Sequence, residues 1–553
     1  MTDNELLFVP LGGAGEIGMN LNLYGYGQPG AHTWMMVDLG VTFGDGATPG
    51  VDVIMPDPSF IVERRDKLAG LVLTHAHEDH LGAVQHLWPQ LRCPIYATPF
   101  TLSILRRKLS ETDFADQVEI IEVPLGGKFS VGPFDLELVT LTHSIPEPNA
   151  IAITTPLGTV LHTGDWKFDP GPVIGEASDE EALRRIGDDG VLAMVCDSTN
   201  VFSPGESGSE ADLLPNLTEL IGEAKGRVAV ACFATNVARL DTIARAAEAN
   251  GRDVVLSGRS LQRITVAAKE NGYLTGLQKF LTEDDAGYLP DEKALIICTG
   301  SQGEPRASLA RVAAGEHPRI SLREGDMVIF SARIIPGNER TIGIMHDQFV
   351  RRGIRVVTPR DRFIHVSGHP ARDELTKMYQ LVRPKIAIPV HGELRHLVEH
   401  AKLARSCQVE QTIVGENGAA TRLAPGPAKT IDHVPVGRLS AEGKRLVPMD
   451  SEVFRERIRT MWNGFAVVTA IIDSDAYLVG DLHVTTNGLV DNDDDDPLIE
   501  EVRIAVDEAL DKLSAKEAAK DSKVEEAIRI ATRRTLRAEF DKRPVVKVHL
   551  VRV

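Results

Sequence analysis

Three imidazoles and a carboxylate fall within six residues at His75, His77, Asp79 and His80, in the run Thr74-His75-Ala76-His77-Glu78-Asp79-His80. The apolar run Leu71-Val72-Leu73 stands directly before them. A strand that ends in such a loop can turn these side chains toward one another, and neutral imidazole nitrogen with carboxylate oxygen is a donor set that suits zinc. The chain has 17 His in all, so chance assembly of H-x-H-x-D-H is on the order of one in a thousand, and a metal loop outweighs a His-rich surface loop. The loop alone cannot complete two coordination shells. His143, Asp165 and His391 each stand close behind an apolar run and can supply the rest. Singly, each reads equally well as a capped polar residue of the core; together they point to two metal ions.

The elements that would position these groups are strands. Leu6-Leu-Phe-Val-Pro-Leu11, Asn20-Leu-Asn-Leu-Tyr-Gly-Tyr26 and Trp34-Met-Met-Val-Asp-Leu39 read as strands joined by glycine turns, and Thr159-Val-Leu161 and Leu192-Ala-Met-Val-Cys196 lead into polar residues in the same way. Gly13-Ala-Gly15-Glu-Ile-Gly18 satisfies G-x-G-x-x-G, but a dinucleotide site needs a helix to open there, and the pattern that follows is a strand; a tight turn is expected. From about residue 201 to 352, helical stretches at 238–250 and 261–270 separate apolar runs at 228–231, 254–256, 294–298 and 327–330, the pattern of a βαβ domain. The strand-end polar motifs then resume as far as Lys385-Ile-Ala-Ile-Pro-Val390 and His391, so the middle domain reads as an insertion.

At 553 residues the chain exceeds one hydrophobic core. No basic run precedes a long apolar stretch at the amino terminus, and no segment approaches the roughly 20 apolar residues of a membrane helix. Five scattered cysteines without C-x-x-C pairing suit a reducing, cytoplasmic compartment. The net charge of −19 argues against a nonspecific duplex binder and is neutral for a nuclease with a focused site, since phosphate binding needs only a local positive groove. The run of acidic residues at 491–496 lacks the spaced ligands of a calcium loop and reads as a solvated turn.

The ordered set Asp38, the H-x-H-x-D-H loop, His143 and Asp165 resembles the metallo-β-lactamase superfamily. Asp197 in Cys196-Asp-Ser-Thr-Asn200, His369 in Val366-Ser-Gly-His369 and His391 in His391-Gly-Glu393 resemble motifs A, B and C of its β-CASP nucleases. Thr299-Gly-Ser-Gln-Gly-Glu-Pro305, Ile335-Pro-Gly-Asn-Glu339 and His365-Val-Ser-Gly-His369 narrow the resemblance to the ribonuclease J family, over essentially the full chain and weakest after about residue 447. The resemblance implies an α/β fold: a metallo-β-lactamase αββα sandwich (1–201 and 353–425) with an inserted β-CASP domain (202–352), a linker (426–446), whose proline- and glycine-bearing sequence also allows connecting strands, and a small C-terminal α+β domain (447–553). It implies two zinc ions, with Mn2+ or Mg2+ as substitutes. His75, His77 and His143 would hold one, Asp79, His80 and His391 the other, with Asp165 bridging and Asp38 supporting the loop from behind.

The expected activity is hydrolysis of RNA to 5′-phosphate and 3′-hydroxyl ends in RNA maturation and decay. An activated water would attack phosphorus, His369 would protonate the leaving oxygen, and Asp197 would hold its imidazole, with Glu210 in reserve for that holding role. His369 also reads as a residue that merely satisfies a buried carbonyl. The run His365-Val366-Ser367-Gly368 offers backbone N–H groups and a hydroxyl to a phosphate. In the resembled family this run and His369, with Phe233-Ala234-Thr235, hold the nucleotide and its 5′-monophosphate, which favours 5′-to-3′ trimming beside endonucleolytic cutting. Arg351, Arg352, Arg360 and Arg362 read either as contacts to single-stranded RNA or as solvated charge. Two departures stand out: Ser331-Ala-Arg333 replaces a Ser-rich stretch, and Glu147-Pro-Asn149 follows His143 in place of Asp-Ser. The C-terminal unit resembles the family's small terminal domain, and that resemblance implies a homodimer or homotetramer. Open alternatives are another metallo-β-lactamase hydrolase, an RNA-binding subunit with a decayed site, and a DNA-directed β-CASP nuclease.

Overall fold

The architecture comes from a computed structural model that describes residues 4–335, 337–491 and 496–553. The acidic run expected as a solvated turn lies, except for its two ends, outside the described residues. Contact density divides the chain into two units, one of residues 1–42 and 55–437 and one of residues 43–54 and 438–553.

In the larger unit two sheets pack face to face. One has eight strands and runs from Lys429–His433 through Ala419–Ala424, Glu5–Gly12, Leu21–Gly27, Thr33–Val37, Leu68–Val72 and Ile95–Ala97 to Ile120–Glu122. The other has seven and includes Phe134–Thr140, Asn149–Thr155, Gly158–His162, Val191–Asp197 and Ile386–Val390. The inner faces carry the apolar member of each alternating pair. Phe8, Tyr24, Met35 and Val37 of the first sheet meet Leu136, Ile151, Val160, Val195 and Ile388 of the second, all buried. The outer face of the second sheet is covered by helices that bury Leu183, Ile186, Leu375, Met378 and Leu403. This is the layered sandwich expected.

The stretch between Asp197 and Ile386 leaves and re-enters the second sheet between two adjacent parallel strands, with Asp197 in register with Val390. Within it, five parallel strands in the order Asp253–Ser257, Ala294–Cys298, Val228–Ala231, Met327–Phe330 and Arg355–Val357 form the inserted sheet. Four of them coincide with the apolar runs read from the sequence, because a strand buried on both faces needs no polar alternation; the fifth, the edge strand Arg355–Val357, lies beyond the expected boundary at 352 and is only partly buried. The glycine motif near the start is a turn: Gly13, Gly15 and Gly18 all have φ between 85° and 89°, and the strand Leu21–Gly27 follows rather than a helix.

Two expectations need correction. Residues 426–446, which read as a linker or as connecting strands, are connecting strands and not a linker. Lys429–His433 pairs with Ala419–Ala424, and Arg438–Glu442 pairs with Arg445–Pro448; Lys429–His433 is mostly exposed, so it lacks the apolar alternation that marks a strand. Residues 43–54, assigned to the first domain, cluster with the C-terminal unit. In that unit the strand Phe465–Ile472 lies between His483–Asn487 and Val545–Arg552, so Val545–Arg552 is an edge strand. Helices Pro497–Asp511 and Asp521–Phe540 bury Val502, Val506, Val524 and Ile528 in that unit's core.

Candidate metal centre

The side chains singled out in the sequence gather at strand ends in the larger unit. Thr74 and His75 follow Leu68–Val72, His143 follows Phe134–Thr140, Asp165 follows Gly158–His162, and His391 immediately follows Ile386–Val390. Asp38, one residue past Thr33–Val37, has φ 64°, and His391 has φ 51°. Left-handed backbone costs an L-residue roughly 1–2 kcal/mol, and such positions persist where the surroundings dictate them.

Asp38 is fully buried. Its Oδ1 accepts from the Thr74 N–H at 2.8 Å, and its Oδ2 accepts from the Thr74 hydroxyl at 2.8 Å and from His80 Nδ1 at 2.7 Å. That bond fixes the His80 tautomer and turns Nε2 inward, 3.1 Å from Asp165 Oδ2. On the neighbouring side, His77 Nδ1 lies 3.0 Å from His75 Nε2 and 3.1 Å from His143 Nε2. His143 donates its other ring nitrogen to the Gly368 carbonyl at 2.5 Å, so its Nε2 also presents a lone pair. The Thr199 hydroxyl donates to Asp197 Oδ1 at 2.7 Å and accepts from His391 Nδ1 at 2.8 Å. That turns His391 Nε2 toward Asp79 Oδ2, 3.1 Å away.

Three groups result: His75, His77, His143 and Asp165; Asp79, His80, Asp165 and His391; and Asp165, Asp197, His369 and His391, each with one atom per residue all within 4.8 Å of one another. The first two are the ones rich in metal-loop residues, and Asp165 belongs to all three. Its Oδ1 is buried with no hydrogen-bond partner among the described residues, a costly omission for a carboxylate unless a cation is its partner. Burial pushes His77 down to about 4, and burial and neighbouring imidazoles push His75 and His143 well below the ordinary value, so all three present lone pairs. Burial would also lower His80 and His391, but Asp165 and the other carboxylates raise both well above the usual range. This is a field that attracts positive charge. The donors present fit a pair of zinc-like ions.

His369 and Asp197 complete the rim. Asp197 Oδ2 accepts from His369 Nδ1 at 2.8 Å, and 22% of the His369 side chain is exposed. Burial opposes charge on His369, yet Asp197 and Asp165 raise it. Its ring centroid lies 5.0 Å from that of His143 and 5.5 Å from that of His391. Asn200 Nδ2 donates to Ser367 Oγ at 2.7 Å and to the His369 carbonyl at 3.0 Å, which clamps residues 365–369 beside the metal groups. A Cβ on Gly368 would come 2.7 Å from His143 Cε1, so only glycine lets this loop approach. Phe233, exposed, and Ala234 and Thr235, half-buried, precede the helix Val237–Ala249.

Glu210 does not hold His369. Both its oxygens accept from Arg239, at 2.8 and 3.0 Å, because a fully buried guanidinium requires a carboxylate partner. Of the arginines that read either as RNA contacts or as solvated charge, Arg352 donates to backbone carbonyls, Arg362 pairs with Glu223, and Arg351 lies near Asp347. The sequence reading passed over Thr199 and Asn200, although they stand in the motif that supplied Asp197. It noted Glu147 only as a departure. The Glu147 carboxylate accepts from the Phe100 N–H at 2.8 Å and from the Tyr273 hydroxyl at 3.0 Å, which ties the His143 loop to the inserted domain.

Comparison with known proteins places this geometry in context. Family models match at residues 48–183 (beta-lactamase superfamily domain), 225–349 (Ribonuclease J, beta-CASP domain), 353–414 (Zn-dependent metallo-hydrolase RNA specificity domain) and 452–553 (Ribonuclease J C-terminal domain). The chain is 44% identical over 552 residues to Ribonuclease J of Sinorhizobium meliloti, covering 100% of this chain and 98% of that one. It is 36% identical to Ribonuclease J of Thermus thermophilus, over 84% of this chain and 82% of that one, and 32% identical to that of Helicobacter pylori, over 98% and 78%. A solved protein of unknown function from Enterococcus faecalis V583 shares the fold, with a TM-score of 0.52 at 18% identity, covering 76% of this chain and 100% of that one.

Proposed function

The chain belongs to the ribonuclease J family and is a metal-dependent ribonuclease, and from that premise we propose that it holds two zinc ions and degrades RNA from a 5′-monophosphate end, leaving 5′-phosphate and 3′-hydroxyl products. The observation that carries this reading is the Asp165 carboxylate shared between two imidazole-bearing groups, whose buried Oδ1 has no hydrogen-bond partner among the described residues. His75, His77 and His143 hold one ion, Asp79, His80 and His391 the other, and Asp165 reaches both. Bound there, the ions supply a water activated toward neutral pH and a brace for the phosphate oxygens.

The remaining chemistry belongs to the chain's own groups. Asp197 fixes the His369 imidazole through Nδ1 and raises its basicity, so the opposite ring nitrogen carries the proton for the departing 3′ oxygen. Residues 365–368 receive a phosphate through N–H groups and the Ser367 hydroxyl, and Phe233 offers an exposed ring for base stacking. Asp38 holds His80 and Thr74 in place from behind. The edge strand Val545–Arg552 supports a homodimer or homotetramer. No described helix is long and apolar enough to cross a membrane, and five free cysteines support a reducing, cytoplasmic setting.

Metal analysis joined to digestion of RNAs that differ only at the 5′ end tests the reading. Two zinc ions per chain and nucleoside 5′-monophosphates released faster from 5′-monophosphate than from 5′-triphosphate RNA are expected. Full activity in metal-replete Asp165→Ala would overturn it.

A further inference from the structure

Three cations surround the loop at residues 365–369. Burial first, and then Arg239, Arg333 and Lys167, hold His365 well below the ordinary imidazole value, so the three share one electrostatic neighbourhood. Two of them are neutralised: Lys167 Nζ is 2.9 Å from Asp169 Oδ2, and Arg239 pairs with Glu210. Arg333 is different. Its guanidinium donates to the Asn200 side-chain carbonyl at 2.7 Å, and no carboxylate lies within ion-pair distance of it among the described residues. In a chain of net charge −19, this cation is exposed and unneutralised beside the proposed phosphate cradle.

It is also held still. Ser331, two residues earlier, accepts from buried Arg239 through both its carbonyl and its hydroxyl at 2.7 Å. Gln302 donates to the Arg333 carbonyl at 2.9 Å and accepts from the Ile335 N–H at 2.9 Å. The amide that anchors the guanidinium is Asn200, which also donates to Ser367 and to the His369 carbonyl. Ser367 Oγ accepts from Asn200 and from the His369 N–H, and its own O–H has no acceptor among the described residues. A fixed guanidinium with N–H groups to spare and a hydroxyl proton without an acceptor thus meet across one asparagine, a donor set for a phosphate.

We propose that Arg333 is the specificity-determining cation of the cleft, gripping an RNA phosphate seated against Ser367 and Gly368. The proposal rests on the ribonuclease reading above. The phosphate is either the terminal monoester or a diester of the chain, and the substrates chosen for the test separate the two.

Steady-state kinetics of wild type, Arg333→Gln and Arg333→Lys are measured at several salt concentrations on one single-stranded RNA sequence bearing a 5′-monophosphate or a 5′-hydroxyl. Arg333→Gln is expected to raise KM at least about tenfold while kcat changes less than about threefold, with Lys restoring part of the loss. The slope of log KM against log salt falls by about 0.7, one phosphate contact on a single strand. A KM effect confined to 5′-monophosphate RNA assigns the terminal phosphate; an equal effect on both RNAs assigns the chain. Unchanged KM and salt slope overturn the proposal, and a fall in kcat alone overturns it in favour of an indirect role through Asn200 on His369. Wild type that cleaves neither RNA would instead sink the ribonuclease reading itself.

Discussion

The sharpest consequence of the geometry concerns Asp38, which touches no proposed metal. Its two oxygens receive three hydrogen bonds, from the Thr74 N–H, the Thr74 hydroxyl and His80 Nδ1. Asp38→Asn keeps the shape, and asparagine tolerates the left-handed backbone observed there. It replaces one acceptor by an NH2 donor. If that NH2 faces His80, the imidazole must move its proton to Nε2, the nitrogen turned toward Asp165, and it is lost as a ligand. If the amide flips, the NH2 meets the Thr74 backbone N–H. In the flipped case one buried donor faces another, at a cost of about 1–3 kcal/mol. The loss of the orienting partner corresponds to a 10- to 100-fold weaker affinity, the usual range for outer-shell changes. Chelator competition followed by metal counting reads the affinity, and thermal unfolding of the metal-free protein reads the fold. Asp38→Asn that binds both ions as tightly as wild type would refute the tautomer argument.

His369→Ala is expected to slow single-turnover cleavage by about 10²- to 10⁴-fold with a much smaller change in KM, and an unchanged chemical step would remove it as the proton donor. His400 predicts a pH dependence of stability. It is fully buried between the Ser198 and Tyr379 hydroxyls, each at 2.9 Å, and burial lowers it to about 4. The folded form therefore takes up its proton later than the unfolded chain, whose histidine titrates near 6.5. The His400 contribution is full above about pH 6.5 and is lost as pH falls toward 4, on the order of 3 kcal/mol in total. Melting curves of wild type and His400→Gln between these limits should converge toward acid pH, and a constant gap contradicts the assignment. Arg239→Met leaves Glu210 buried without its partner and should cost about 3–5 kcal/mol, seen as a lowered melting temperature that Arg239→Met with Glu210→Gln partly recovers.

The metal loop was legible because its ligands are near neighbours in sequence, and His143, Asp165 and His391 because each follows an apolar run that must be a buried strand. The inserted sheet was legible for the same reason. What escaped depends on partners the sequence does not place. Glu210 looked like a spare carboxylate for His369, yet its role is set by Arg239, whose complete burial no local pattern reveals. Residues 429–433 are mostly exposed and pair at a sheet edge, so they carried no periodic signal and their proline- and glycine-bearing surroundings read as a linker. Arg352 read either as an RNA contact or as solvated charge, and is neither, because charge is visible in sequence and the carbonyls it satisfies are not.

The placement of the insertion explains why these groups act together. The chain leaves the second sheet just after Asp197 and returns just before His391, on adjacent parallel strands in register, so both motifs emerge at the same end of the sheet whatever the insertion contains. Two residues just past the point of departure then divide the work. Thr199 fixes the tautomer of His391, and Asn200 clamps Ser367 and His369. His143 closes the circuit by donating to the Gly368 carbonyl. An imidazole of the metal groups and the proposed phosphate loop therefore constrain each other, and any free energy that metal binding contributes to ordering this loop must appear, by linkage, as an equal contribution of a bound phosphate to metal affinity.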